Sequence, residues 1–182
     1  MLLPALPPHP IPLCVAVLAV VTASTDIVSR RIPNPVLAFS LMVSFPVQVW
    51  LHGLLLGSGG WLAGAMTGFS LLIPLYLMRA MSAGDVKLLV AVGAWVGPGM
   101  VFCIALAAFV MGGAWSLGFV LSHRRTTQLY KNLRYLVSRI SCVGRGGISA
   151  QVERRQFVSV GTIPYGVSIA IGTLGVLFAS AA

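Results

Sequence analysis

The sequence predicts an all-α integral membrane protein with about six transmembrane helices and both termini on the non-cytoplasmic side. Its 182 residues are 58% hydrophobic and only 8% charged, which is far from the composition of soluble proteins. Most apolar segments approach or reach the ~20 residues that a helix needs to cross the hydrocarbon layer. The Lys and Arg residues are confined to alternate loops. We therefore expect one polytopic membrane domain over residues 1–182.

Six apolar segments are candidate spans. In chain order they are Ile11–Val28, Val36–Leu56, Trp61–Met78, Val86–Val96, Met100–Leu121 and Phe157–Phe178. Pro33 and Pro35 in "SRRIPNPV" end the first span and delay the second. Gly60, Gly64 and Gly68 repeat the small-xxx-small spacing that lets helix backbones approach closely, so we expect a helix contact along them. The short fourth span ends at "GPG", which we interpret as a loop.

The basic residues orient these spans. All 12 Lys and Arg residues lie in or beside the first, third and fifth loops, and none lies in "HGLLLGSGG", in "GPG" or in the tails. Because positive residues mark the cytoplasmic side, those three loops are predicted to be cytoplasmic. The fifth loop, residues 122–156, combines many basic residues with apolar residues at helical spacing. It predicts a basic amphipathic helix that lies on anionic lipid.

Several classes of site lack support. Cys14, Cys103 and Cys142 are far apart, and the three histidines are isolated from one another and from the acids, so no disulfide, metal site or serine triad is expected. No cofactor is expected either. Topology accounts for the formal charge of +9, and no nucleic-acid partner is predicted. The first thirteen residues lack Lys and Arg, so we expect no cleaved signal peptide.

Two of the three acidic residues lie at the ends of candidate spans. Asp26 is near the end of the first and Asp85 begins the fourth, which puts both at the cytoplasmic face. Ionisable groups at membrane depth cost ~2.5 to 3.5 kcal/mol on insertion scales, so each acid is a functional hypothesis. Two neighbouring carboxyl groups share one proton, and the ionised member can activate water while the protonated member donates to a carbonyl oxygen. The pair therefore suits peptide hydrolysis, with either acid as the base.

Each acid also has a structural interpretation. Ser82 and Asp85 fit the S-x-x-D pattern in which a Ser caps a helix. Asp26 and Arg30 are four residues apart, the spacing of a surface ion pair. We interpret Glu153 as a solvated charge.

Gly84 and Lys87 flank Asp85. Gly84 lets an extended substrate approach the acid, or it is an ordinary helix start. Lys87 raises the local positive potential, or it extends to the membrane interface.

Three stretches resemble the type IV prepilin peptidases, which are membrane aspartyl proteases with a GxGD-type motif. They are "TDIVSRRIPN" around Asp26, "SAGDVKLL" around Asp85 and "IPYGVSIAIG" near the last span. The resemblance implies that Asp26 and Asp85 are the catalytic pair, and it includes Pro33 and Asn34 in the first stretch. Ser82 stands where the family usually has its first Gly.

The resemblance also implies a function. It is the removal of a short leader peptide from prepilins or pseudopilins at the cytoplasmic face of the bacterial inner membrane, where lipid and the substrate helix are the partners. The chain looks like the small enzymes that serve Flp (tight-adherence) pili, without the N-terminal domain of larger relatives. Pro164, Tyr165 and Gly166 match a family element at the final helix.

Two other functions fit the same residues. In a small proton-coupled transporter the acids would relay protons, although such a protein favours an acid near the bilayer midplane with access from both sides. In a non-enzymatic membrane scaffold the glycines would hold the helices together and the acids would serve as caps. Proton flux into liposomes would identify the transporter. Loss of assembly, without loss of a catalytic step, would identify the scaffold.

Overall fold

The structure, a computed structural model, describes residues 4, 6–29, 33–78, 81–122 and 165–181. These residues contain helices and no strand, namely α1 (Ile11–Ser29), α2 (Asn34–His52), α3 (Leu54–Leu77), α4 (Ala83–Ser122) and α5 (Tyr165–Ala181). Residues 1–113 and 164–182 form one compact unit, and residues 114–163 form a second, of which only the end of α4 is described. The predicted amphipathic helix of the fifth loop lies outside the described residues, as do Arg30, Pro164 and Glu153.

Four helical segments are long and apolar enough to cross a membrane. They are α1, α2, α3 and residues 83–115 of α4. The helix α5 is apolar but shorter, with 17 residues. These findings confirm an all-helical chain with four candidate membrane spans among the described residues, while the six spans and the side on which the termini lie stay predictions.

The turn between α2 and α3 is much shorter than the predicted loop "HGLLLGSGG". Gly53 is the single residue between the two helices, with φ 80° and ψ 168°, a conformation that side chains disfavour. Gly57 lies against the backbone of Gln48, so close that a Cβ would overlap its carbonyl oxygen. The predicted boundaries at Leu56 and Trp61 are therefore wrong. Gly57 serves close helix packing and does not indicate a loop.

A similar glycine divides α4. Gly97 has φ 79° and ψ 174°, outside the helical region, and the predicted "GPG" loop is reduced to this residue. A Cβ on Gly93 would lie 3.2 Å from Val101 Cγ2, whereas residues eight apart in a straight helix are separated by about 12 Å. The two arms of α4, residues 83–96 and 98–113, therefore fold back on each other. Pro98 begins the second arm, where its missing N–H costs no helical hydrogen bond.

The first arm of α4 lies at the centre of the bundle. A run of its residues is buried, namely Leu88, Leu89, Ala91, Val92, Ala94 and Trp95. A helix that is buried nearly all round has neighbours on every side. Gly64 and Gly93 face each other's carbonyl oxygens, and a Cβ on Gly68 would lie 2.5 Å from Leu89 O. The expected glycine contact is thus confirmed at Gly64 and Gly68 but is wrong at Gly60, where a Cβ would meet no atom within 4 Å.

A polar stripe on α2 joins it to its neighbours. Ser40, Ser44 and Gln48 are buried at intervals of four residues. Trp95 Nε1 donates to Ser40 Oγ at 2.9 Å, and Trp61 Nε1 donates to Ser44 Oγ at 2.8 Å. Gln48 Nε2 donates to the carbonyl oxygens of Ala94 and Trp95. Such hydrogen bonds hold helices together where lipid supplies no hydrophobic driving force.

The contact between α3 and α4 makes a testable prediction. Gly64→Ala places a Cβ against the Gly93 backbone, and overpacking of this kind costs about 1 to 3 kcal/mol. We expect a lower thermal unfolding midpoint in detergent. Gly60→Ala is the matched control, because the space around Gly60 is open and Ala is favoured over Gly in helices. Equal midpoints for the two variants would show that the helices do not meet at Gly64.

Candidate active site

Asp26 continues the buried face of α1. Ile11, Val15, Leu18 and Thr22 precede it on the same stripe at helical spacing, and all five residues are buried. The Asp26 side chain is only 8% exposed, although it is the stripe's one charged member. This placement brings the carboxylate towards the helices that pack on α1, among them α5.

The N-terminus of α5 supplies a hydrogen bond to Asp26. The backbone N–H of Gly166 donates to Asp26 Oδ2 at 2.9 Å. Gly166 is the second residue of the described helix, where N–H groups have no partner within the helix. A carboxylate at this position also interacts favourably with the positive end of the helix dipole. The buried charge of Asp26 is thereby stabilised.

Ser82 stabilises the second acid. Asp85 is 6% exposed, and its Oδ2 accepts hydrogen bonds from Ser82 N at 3.2 Å and from Ser82 Oγ at 2.9 Å. In return, Asp85 N donates to Ser82 Oγ at 3.3 Å. This reciprocal arrangement is the capping pattern expected from the sequence. Ser82 therefore contacts the acid directly.

The two acids lie at the same end of the bundle. Asp26 is near the end of α1, whereas Asp85 is in the first turn of α4. Helix α5 contacts both regions, because Gly166 binds Asp26 and the Tyr165 ring lies against Gly112 in the second arm of α4. The N-terminus of α5 thus contacts Asp26 and packs on the helix that carries Asp85.

The other residues singled out from the sequence lie around this end. Lys87 Nζ donates to Asn34 Oδ1 at 3.2 Å, which links the beginning of α4 to the first residue of α2. Pro33 immediately precedes α2, and Gly84 lies in the first turn of α4. Lys87 and Asn34 are both exposed. The structure therefore brings Ser82, Tyr165 and Gly166 to the acids, while Lys87 contacts α2.

Two features of the site had no clear sequence signal. The contact of Gly166 with Asp26 joins residues 140 positions apart, and the contact of the Tyr165 ring with Gly112 joins residues of different helices. A glycine at the start of an apolar helix was the available hint. Among the described residues, no three His, Cys, Asp or Glu side chains form a group that could hold a metal ion.

A cavity of about 350 Å³ opens at the other end of the bundle. Its lining includes Ile11, Gln48, His52, Trp95 and Gly97. These residues belong to the start of α1, the end of α2 and the turn of α4. The cavity is therefore separate from the acids.

Comparison with known proteins adds one finding to this geometry. The profile of the type IV leader peptidase family matches residues 13–117, which include both acids but end before α5. Neither the curated proteins nor the solved structures contain a significant match. Because the matched segment covers more than half of the chain, this helical membrane protein belongs to the type IV leader peptidase family.

Proposed function

We propose that the protein is an aspartic endopeptidase that removes the short leader peptide from type IV, Flp-like prepilins. The reaction takes place at the cytoplasmic face of the bacterial inner membrane, and Asp26 and Asp85 activate the water. The observation that carries the proposal is the pair of buried carboxyl groups at one end of an apolar bundle, each bound by donors at the start of a helix. Membership of a leader peptidase family supports the choice of reaction.

The pair supplies both proton transfers that peptide hydrolysis requires. The ionised carboxylate takes a proton from water as the water oxygen bonds to the peptide carbonyl carbon. The protonated carboxyl group donates its proton to the carbonyl oxygen. As the tetrahedral intermediate collapses and the C–N bond breaks, the acid that took the proton from water gives it to the leaving amine. The other carboxylate recovers its proton from a hydroxyl of the intermediate, which becomes the new carboxyl group.

Hydrogen bonds from neighbouring residues orient both acids for this chemistry. The bonds described above reach Oδ2 of Asp26 and Oδ2 of Asp85. A backbone N–H and a cap at the start of a helix are rigid donors, so each carboxylate keeps one orientation. Preorganisation of this kind lowers the cost of reaching the reactive geometry.

Apolar surface beside Asp26 supports a helical membrane substrate. Ile27 and Val28, which follow Asp26, are 63% and 85% exposed. A prepilin's apolar helix would pack along this surface and present the leader junction to the acids. The exposed Lys87 and the basic fifth loop would contact the lipid headgroups.

A scaffold function has one observation in its favour. The reciprocal hydrogen bonds between Ser82 and Asp85 are a complete cap, which by itself gives Asp85 a structural role. The cap does not account for the burial of Asp26 beside it. Replacement of the acids separates the two functions.

The first prediction concerns the acids. Asp26→Asn and Asp85→Asn each keep the shape of the side chain but remove its ability to exchange a proton. We expect each variant to lose leader removal, by at least about 100-fold from the loss of general acid–base catalysis, while its amount in the membrane stays near that of the wild type. Cleavage of a purified prepilin in detergent, followed on gels, measures the loss.

Glu153→Gln is the matched control, because it removes the chain's third acid. It should cleave at the wild-type rate. Normal processing by either Asp variant would refute the proposal, and loss of assembly in place of catalysis would favour the scaffold.

The second prediction concerns Ser82. Ser82→Ala removes the hydroxyl that caps α4 and binds Asp85, and a Ser-to-Ala change at a cap costs about 0.5 to 2 kcal/mol. Ser82→Gly costs less at a cap and restores the residue usual in the family. We expect Ser82→Ala to lower both the unfolding midpoint and the cleavage rate, with a smaller effect for Ser82→Gly. Ser70→Ala, which changes an exposed serine of α3, is the control. If Ser82→Ala changed the unfolding midpoint and the cleavage rate no more than Ser70→Ala does, the role of the cap would be contradicted.

A further inference from the structure

Gly166 approaches Asp26 more closely than a residue with a side chain can. A Cβ built on Gly166 would lie 2.6 Å from Asp26 Oδ2 and 3.1 Å from Asp26 Cγ. Both atoms belong to the carboxylate itself. Any side chain at residue 166 would therefore push the Asp26 carboxylate away from the N–H that binds it.

The start of α5 is held in position by its packing on the second arm of α4. The Tyr165 ring lies against Gly112, where a Cβ would be 3.0 Å from Tyr165 Cε2. Seven residues further along α5, a Cβ on Gly172 would lie 2.8 Å from Ala108 N. Two close contacts along one helix fix its register, so the Gly166 N–H has a defined position relative to α4. Asp85 belongs to the other arm of the same helix.

We propose that Gly166 is a positioning residue, whose N–H and missing Cβ together hold the Asp26 carboxylate in its reactive place beside Asp85. The proposal rests on the proposed peptidase function. It assigns a role to a residue outside the segment that matches the leader peptidase family. Gly166 acts through Asp26 and does not itself exchange a proton.

A double-mutant cycle tests the contact without any substrate. Gly166→Ala should lower the thermal unfolding midpoint of the wild-type chain, because the new Cβ meets the carboxylate. In an Asp26→Ala background the nearest atom of residue 26 is its Cβ, 3.3 Å away, so the same change should lower the midpoint by less than half as much. Gly172→Ala is the control. It should lower the midpoint equally in both backgrounds, since its close neighbours are Ala108 and Ile104.

Prepilin cleavage by the full-length chain tests the positioning role. We expect Gly166→Ala to lower kcat per folded enzyme by roughly 10- to 100-fold, as a small misplacement of a reacting group does, with KM within about twofold of the wild-type value. Gly175→Ala, on the same helix in open space, should change neither quantity.

The outcomes separate this inference from the proposed function. A folded Gly166→Ala enzyme with wild-type kcat, or equal midpoint losses in the two backgrounds, overturns the positioning role. A wild-type chain that cleaves no prepilin overturns the proposed function and the role with it, whatever the cycle reports about the contact. The positioning role and the proposed function are both supported if Gly166→Ala lowers the midpoint less in the Asp26→Ala background than in the wild-type chain and also lowers kcat with little change in KM.

Discussion

The burial of two carboxylates in an apolar helix bundle is the constraint on which this structure depends. An ion removed from water loses several kcal/mol of solvation, and hydrogen bonds must replace what is lost. Asp85 receives these bonds from the cap of its own helix, and Asp26 receives one from the start of α5. Both solutions place the acid near the N-terminus of a helix, where N–H groups lack partners and the helix dipole favours a negative charge. Asp85 therefore lies at the start of its own helix, whereas Asp26 lies near the end of α1 and beside the start of α5.

Glycine makes this arrangement sterically possible. Gly64, Gly68 and Gly93 let α3 and α4 touch backbone to backbone, so that the helix carrying Asp85 becomes the centre of the bundle. Gly166 and Gly172 do the same for α5, which brings a backbone N–H within 2.9 Å of Asp26. In a membrane, association relies on close packing because lipid is as apolar as the helix surfaces. The contacts that stabilise the fold thus also determine the geometry of the site.

Local patterns predicted the parts of this structure that depend on neighbouring residues. The S-x-x-D cap is found as expected, and so is the contact along Gly64 and Gly68, because both follow from spacing within one helix. The turns at Gly53 and Gly97 were expected to be longer, since a single glycine with positive φ can reverse the chain where composition indicates a loop. The polar stripe of α2 was not anticipated, because a hydropathy average conceals a few polar residues on one face. The hydrogen bond from Gly166 to Asp26 depends on tertiary packing, which spacing along the chain does not encode.

The proximity of Asp26 and Asp85 is the central claim, and thiol cross-linking measures it most directly. The double variant Asp26→Cys with Asp85→Cys, in a chain whose three native cysteines are replaced, is treated in membranes with a short bifunctional thiol reagent. The pair Asp26→Cys with Gln48→Cys is the control, because Gln48 lies beside the turn of α4 at the other end of the bundle. The account predicts an efficient intramolecular cross-link for the first pair and none for the control. A first pair that fails to cross-link, or that reacts no better than the control, would contradict it.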